Sequence, residues 1–267
     1  MTSIKYNKDF FKGKDIFVGI DVNKSTWIIT ATCEGEIVYD GTIPADFERL
    51  DNILARFSQG KVHTVYEAGC FGFWLHDLLT EKGYDSMVTP PSLVPKIGGR
   101  VKTDRRDSKK LASLLASGFL KRVYVLTPDE RADRELVRTR NQIERHRKRV
   151  QNQIKAKLLF HGVEKPKRLN DKHWSQEYLR WLEGIIWEYE HLRISMAHLL
   201  ELFRHLDREY KELTRQIGEL AQTEKYEESV RILTSIPGIG IFTAMTILVE
   251  LQDVERFRKR RMRLPLS

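Results

Sequence analysis

Cysteine is scarce in this chain: two residues in 267, Cys33 and Cys70, far apart and without the spacing of metal ligands. They read as reduced thiols of a cytosolic protein. No apolar run reaches the roughly 18 residues that a membrane-spanning helix requires. The opening stretch, Met1–Lys14, is polar and basic, with no h-region to mark it for secretion. No glycine-rich phosphate loop follows the first predicted strand, which counts against an actin-like phosphotransferase. Acidic residues are nearly missing from one long stretch: between Arg138 and Arg168 only Glu144 and Glu164 stand against eleven lysines and arginines.

Those eleven are Arg138, Arg140, Arg145, Arg147, Lys148, Arg149, Lys155, Lys157, Lys165, Lys167 and Arg168, and their excess over the two acids matches the net charge of +9 for the whole chain. A concentrated basic helix attracts phosphate backbones through counterion release, without sequence specificity. A solvated helix face, or a surface that pairs with an acidic partner, is the competing reading; the missing acids favour nucleic acid. A hydrophobic content of 41% and a charged content of 31% fit a soluble globular protein. The length allows one large or two modest domains.

The first part alternates strand and helix signals. Asp15–Asp21 is apolar and β-branched, Ser25–Cys33 follows a polar turn at Val22-Asn23-Lys24, and Glu36–Thr42 follows a turn at Glu34-Gly35. These predict three consecutive antiparallel strands. Phe47–Phe57 carries Leu50, Ile53, Leu54 and Phe57 on one helical face. Lys61–Tyr66 predicts a fourth strand, Phe73–Lys82 a second helix and Tyr84–Val88 a fifth strand, before a loop punctuated by Pro90, Pro91, Pro95, Gly98 and Gly99. A helix resumes near Asp104. This α/β order is that of a ribonuclease-H-like domain, and an actin-like half shares it, so order alone does not decide function.

Past Thr127 the pattern is helical to about Glu224, broken around Gly162–Asn170. Apolar residues recur at Tyr178, Leu182, Ile185, Tyr189, Leu192, Met196, Leu199, Phe203, Leu206, Tyr210, Leu213, Ile217 and Leu220, in steps of four and three. A sustained 3.5-residue period predicts a left-handed coiled coil, here ~65 Å long at 1.5 Å per residue. The stripe needs a partner helix: the basic helix upstream, a second copy of the chain, or both. A second copy is expected, because no other stretch repeats the pattern. A long helix on a globular core is the other explanation.

Four acids stand at predicted element ends. Asp21 closes the first strand, Glu67 the fourth, and Asp104 and Asp107 open the helix that follows the loop. Residues three apart share a helix face, so the last two can aim at one point. Four gathered carboxylates repel unless cations lie between them, and two Mg²⁺ ions could clamp the attacking and leaving oxygens of a phosphodiester. Each acid also has a structural explanation. Asp21 with Asn23 can shape a turn, Glu67 can be a loop-edge acid, Asp104 can cap its helix and Asp107 can sit in the favourable first turn. Basic neighbours Arg100, Lys102, Arg105, Arg106, Lys109 and Lys110 favour a phosphate backbone beside the last pair. Gly238 and Gly240, in Pro237-Gly238-Ile239-Gly240, could let helix N–H groups meet a phosphate; a plain helix-to-helix turn explains them equally well.

The segments Gly19-Ile20-Asp21-Val22, Tyr66-Glu67-Ala68-Gly69 and Lys102-Thr103-Asp104-Arg105-Arg106-Asp107-Ser108 resemble the signature of the DEDD insertion-sequence transposases, relatives of RuvC-like nucleases described as bridge-RNA-guided recombinases. Leu233-Thr234-Ser235-Ile236-Pro237-Gly238-Ile239-Gly240, through Ala244 to Asp253 and Arg256-Phe257, is similar to the start of that family's C-terminal domain. The resemblance implies a flexible N-terminus over 1–13, a RuvC-like catalytic domain with the basic helix over 14–165, a dimerising coiled coil over 166–225 and the start of a C-terminal transposase domain over 226–267. It implies a tetrad of Asp21, Glu67, Asp104 and Asp107 holding Mg²⁺ or Mn²⁺ for DNA strand cleavage and exchange. A structured bridge-type RNA as guide, a dimer or dimer of dimers, and a place at the nucleoid in a prokaryotic cytoplasm, away from membranes, also follow from it. The family pattern runs on into a domain that supplies a serine nucleophile. Arg258-Lys259-Arg260-Arg261-Met262-Arg263 departs from it, and Ser267 is no stand-in for that serine. The expectation is a truncated chain that does not complete strand exchange alone; a non-catalytic, nucleic-acid-binding form that regulates a full-length copy is the alternative.

Overall fold

The computed structural model describes residues 6–95, 104–169 and 174–253, with side chains from Asp107 onward in the second of these segments. The chain divides into two compact units between Val125 and Leu126. The first opens with β1 (Asp15–Val22), β2 (Thr26–Cys33) and β3 (Glu36–Pro44), followed by α1 (Phe47–Leu54), β4 (Lys61–Glu67), α2 (Trp74–Glu81), β5 (Asp85–Thr89) and α3 (Asp104–Ala116). β1, β2 and β3 pair antiparallel. Glu34 and Gly35 make the β2–β3 turn at φ 52° and 84°, the doubly positive backbone of a two-residue hairpin that asparagine, aspartate and glycine usually supply. The sheet order is β3-β2-β1-β4-β5, with β4 parallel to β1 and β5 parallel to β4.

Strand alternation splits the sheet into two faces. Ile16, Val18 and Ile20 of β1 bury with Leu50 and Leu54 of α1, Phe57, and Leu75 and Leu79 of α2. The helices on this side are held by local sequence: Asp46 caps α1, its carboxylate accepting from the Arg49 N–H at 2.8 Å. The other face carries α3. Gly19 is what admits it, because a Cβ there would lie 2.0 Å from the Ser108 carbonyl oxygen and 2.6 Å from the Ala112 nitrogen. The hydroxyls of Thr30 and Ser108 meet at 2.9 Å beside this crossing, and Leu111 and Leu114 pack on Val65.

The second unit contains α4 (Pro128–Phe160), α5 (Gln176–Glu183), α6 (Glu190–Leu220), α7 (Glu227–Thr234) and α8 (Ile241–Leu251). α4 begins at a capping box between Thr127 and Glu130, with Pro128 in its first turn, where the missing N–H of proline costs nothing. The uninterrupted seam expected over Tyr178–Leu220 is broken. α5 stops at Gly184, whose N–H bonds to the carbonyls of Arg180 and Trp181, and α6 starts only at Glu190. Tyr189, a seam position in the sequence, is 61% exposed.

α6 finds its partner within the chain. Val150, Ile154 and Leu158 of α4 bury with Met196, Leu200, Phe203 and Leu206 of α6, while Val137 clusters with Ile217. Early α4 meets late α6 and late α4 meets early α6, so the two run antiparallel. Of the partners weighed for the stripe, the basic helix of the same chain is the one that covers these residues. No helix among the described residues is long and apolar enough to cross a membrane.

Candidate functional site: strand-end carboxylates and a basic helix

Asp21 and Glu67 lie near the ends of β1 and β4, which are parallel neighbours with Gly19 opposite Val65 and Ile20 opposite Tyr66. Two residues beyond the Gly19–Val65 pair, both acids project from the face on which α3 sits, on strands about 4.8 Å apart. The Asn23 amide donates to Asp21 at 3.2 Å, so the turn-shaping role weighed for this pair is present beside any other. Asp107 is half-buried on α3, one residue before the Ser108 that seats the helix on β1 and β2. Asp104 begins α3; its side chain, like those of Arg105 and Arg106, lies outside the described residues, as do Arg100 and Lys102 altogether. Among the described residues, no group of three or more histidine, cysteine, aspartate and glutamate side chains is placed to hold a metal ion. Lys109 is exposed on α3.

One polar atom beside these acids went unnoticed in the sequence. Thr89 ends β5 opposite Glu67, is fully buried, and its Oγ1 has no hydrogen-bond partner among the described residues. The other charged cluster of the sheet is at the far end: His63 Nε2 lies 2.8 Å from Asp15 and Nδ1 2.7 Å from Asp85, with Arg122 bonded to Asp85 at 3.0 Å. Burial works to raise the Asp85 carboxyl, but hydrogen bonds from His63 and Arg122 hold it below the ordinary range. Six residues of strand separate Asp15 from Asp21, about 20 Å, so this cluster braces the sheet remote from the strand-end acids.

The basic residues of α4 divide in two. Arg138 makes a two-pronged bond to Glu250 of α8, 2.7 Å at each prong, and Arg147 bonds Asp207 of α6 at 2.6 Å. Arg140 is buried: it meets Glu144 at 2.8 Å, bonds the Tyr210 hydroxyl, and lies over the rings of Tyr210 and Phe242 at 4.3 and 3.6 Å. Lys148 pairs with Glu144 at 2.9 Å. The acids that looked absent are thus supplied by helices far along the sequence. The carboxyl of Glu250 is held below its usual range by the Arg138 hydrogen bond; that of Asp207 is held low by Lys211 and Arg147 against the opposing effect of burial. Arg145 and Arg149 are exposed, and Lys155 and Lys157 half-buried. Gly238 and Gly240 form the exposed turn between α7 and α8, Gly238 at φ +90° and Gly240 capping α8 without a side-chain bond.

A mixed five-stranded sheet in this order, followed by long helices, defines the ribonuclease-H-like class. The profile of the DEDD transposases of IS110 type matches residues 18–162, and that of the IS116/IS110/IS902 transposases matches residues 230–262. The chain is 31% identical to the y4qE protein of Sinorhizobium fredii over 93% of its own length and 61% of that protein's. It is 27% identical to the transposase of insertion sequence element IS1533 of Leptospira borgpetersenii, over 90% of the chain and 70% of the relative. Identity to the transposase of element IS1111A of Coxiella burnetii is 22%, over 93% and 66%. The chain therefore belongs to the IS110 family of insertion-sequence transposases. It spans about two thirds of the length of these relatives.

Proposed function

We propose that this chain acts on DNA as a metal-dependent strand-cleaving transposase, with Asp21, Glu67, Asp104 and Asp107 as the ligands of Mg²⁺ or Mn²⁺. The observation that supports this best is the common face of Asp21 and Glu67 at the ends of adjacent parallel strands, with the helix that carries Asp104 and Asp107 crossing the same face. All four donors are carboxylate oxygens, which suit a hard divalent cation, and the unsatisfied Thr89 hydroxyl lies beside one of them. Bound cations would draw charge from a phosphodiester and ready an oxygen nucleophile. The chain's own residues bind and orient: Gly19 and the Thr30–Ser108 contact seat α3, and the exposed Arg145 and Arg149, with Lys109, Lys155 and Lys157, meet phosphates. Arg100, Lys102, Arg105 and Arg106 are proposed to contact nucleic acid as well.

Guidance by a structured RNA, pairing of copies into a dimer or dimer of dimers, the domain limits at 165 and 225, and work at the nucleoid of a prokaryotic cytoplasm are part of the same proposal. They are supported by the family resemblance. Titration of the full chain with Mg²⁺ in the presence of labelled DNA tests the central claim. Asp21→Asn and Asp104→Asn should each abolish metal-dependent strand breakage and weaken metal binding. Metal affinity indifferent to both substitutions would remove the tetrad, leaving salt-sensitive nucleic-acid binding without cleavage as the function.

A further inference from the structure

We propose that Thr89 is a positioning residue for the Glu67 carboxylate, an inference that rests on the metal-binding reading of the four acids. Thr89 is fully buried and its hydroxyl has no hydrogen-bond partner among the described residues, an arrangement that folded proteins mostly avoid. Its surroundings do not call for a hydroxyl. Val65, Met87, Leu111 and Leu114 make up an apolar cluster on this face, in which valine would fill the same volume. A polar neighbour is supplied by the in-register residue on β4, Glu67. Register partners in a parallel ladder project from the same face of strands about 4.8 Å apart, so the Thr89 and Glu67 side chains are neighbours on that face. The backbone there is fixed as well, because the Ala68 N–H donates to the Thr89 carbonyl at 2.8 Å.

Ser86, the other β5 residue with an unsatisfied hydroxyl, makes a useful contrast: its register partner is Thr64, and no carboxylate stands opposite. Glu67 also needs more guidance than Asp21. Its side chain has one more rotatable bond and is exposed, and carboxylates that ligate metals are commonly oriented by an outer hydrogen bond. The Thr89 O–H, which has no partner among the described residues, would supply that bond were Glu67 to hold a cation.

Thr89→Val and Thr89→Ser in the full chain, each titrated with MgCl₂ by calorimetry and melted after EDTA treatment, test this. Thr89→Val should weaken Mg²⁺ binding about tenfold or more, the range typical of lost outer-shell bonds, while Thr89→Ser stays near the parent. Without metal, Thr89→Val should melt at or above the parent temperature, since it replaces an unsatisfied hydroxyl by a methyl. A metal-free melting temperature that falls sharply, or a variant that does not fold, would show that the hydroxyl serves the apo fold and overturn the inference. Parent-like Mg²⁺ affinity in Thr89→Val, with affinity lost in Asp21→Asn, overturns the role of Thr89 and spares the tetrad. Affinity unchanged in both removes the tetrad reading, and this inference with it.

Discussion

The two units bury polar groups in opposite ways. In the sheet unit the buried polar residues, among those described, are hydroxyls alone (Thr30, Thr32, Thr64, Ser86, Thr89 and Ser108), and Asp21 and Glu67 stand near strand ends. The helical unit buries a guanidinium, Arg140, between aromatic rings and ties two more arginines of α4 to acids of α6 and α8. No charge of the described sheet unit is buried, whereas much of the charge on α4 is structural. Eleven basic residues in one stretch do not make eleven phosphate contacts.

The largest expected effect tests how the sheet unit is built. Gly19→Ala forces a methyl into backbone atoms of α3 and should cost about 3 kcal/mol or more in urea unfolding, the upper range for overpacking. A loss under about 1 kcal/mol would show that α3 does not sit on β1 as described. Next comes Arg140→Ala, which strips partners from Tyr210 and Glu144 and should cost about 2–4 kcal/mol. If that variant is as stable as the parent yet binds DNA poorly, the division of α4 between structure and binding is wrong.

A smaller effect is expected from acid. Asp207 and Glu250 have carboxyls depressed in the folded chain, so the stability they contribute is present above their unfolded values, near pH 4. It is lost as the pH falls through their lower folded values. Urea midpoints taken from pH 6 downward should fall in that acid window, and Asp207→Asn should flatten the fall. Arg145→Ala should change stability least, by no more than about 0.5 kcal/mol. It should instead reduce the salt dependence of nucleic-acid binding by about one phosphate contact; an unaltered salt slope would take Arg145 off the binding surface.

What the sequence reveals follows from the range of the interactions. Strand alternation and turn residues are local, so β1 to β5 start and end within two residues of the sequence expectation, and Asp21 and Glu67 fall at strand ends. The cation partners of α4 are not local. Glu250 lies 112 residues from Arg138, and Asp207 lies 60 from Arg147, distances over which composition in a window carries no signal. The seam failed for a different reason. Ile185 and Tyr189 keep the four–three rhythm through a segment where Gly184 has already ended the helix, so periodicity continued after the helix had stopped. Gly19 enters the sequence reading only as part of the Gly19-Ile20-Asp21-Val22 motif, and the helix lying against it gives the residue its packing role.

The opposed directions of α4 and α6 limit how this protein can vary. Arg140 meets Tyr210, Arg147 meets Asp207, and Ile154 packs with Met196 and Leu200, so each contact fixes a position on both helices at once. Inserting a single residue near the middle of α6 would turn everything beyond it by about 100°, swinging Tyr210 away from Arg140 or Met196 away from Ile154. Length changes in descendants of this chain should therefore collect in the connections, and leave the interior of both helices at constant length.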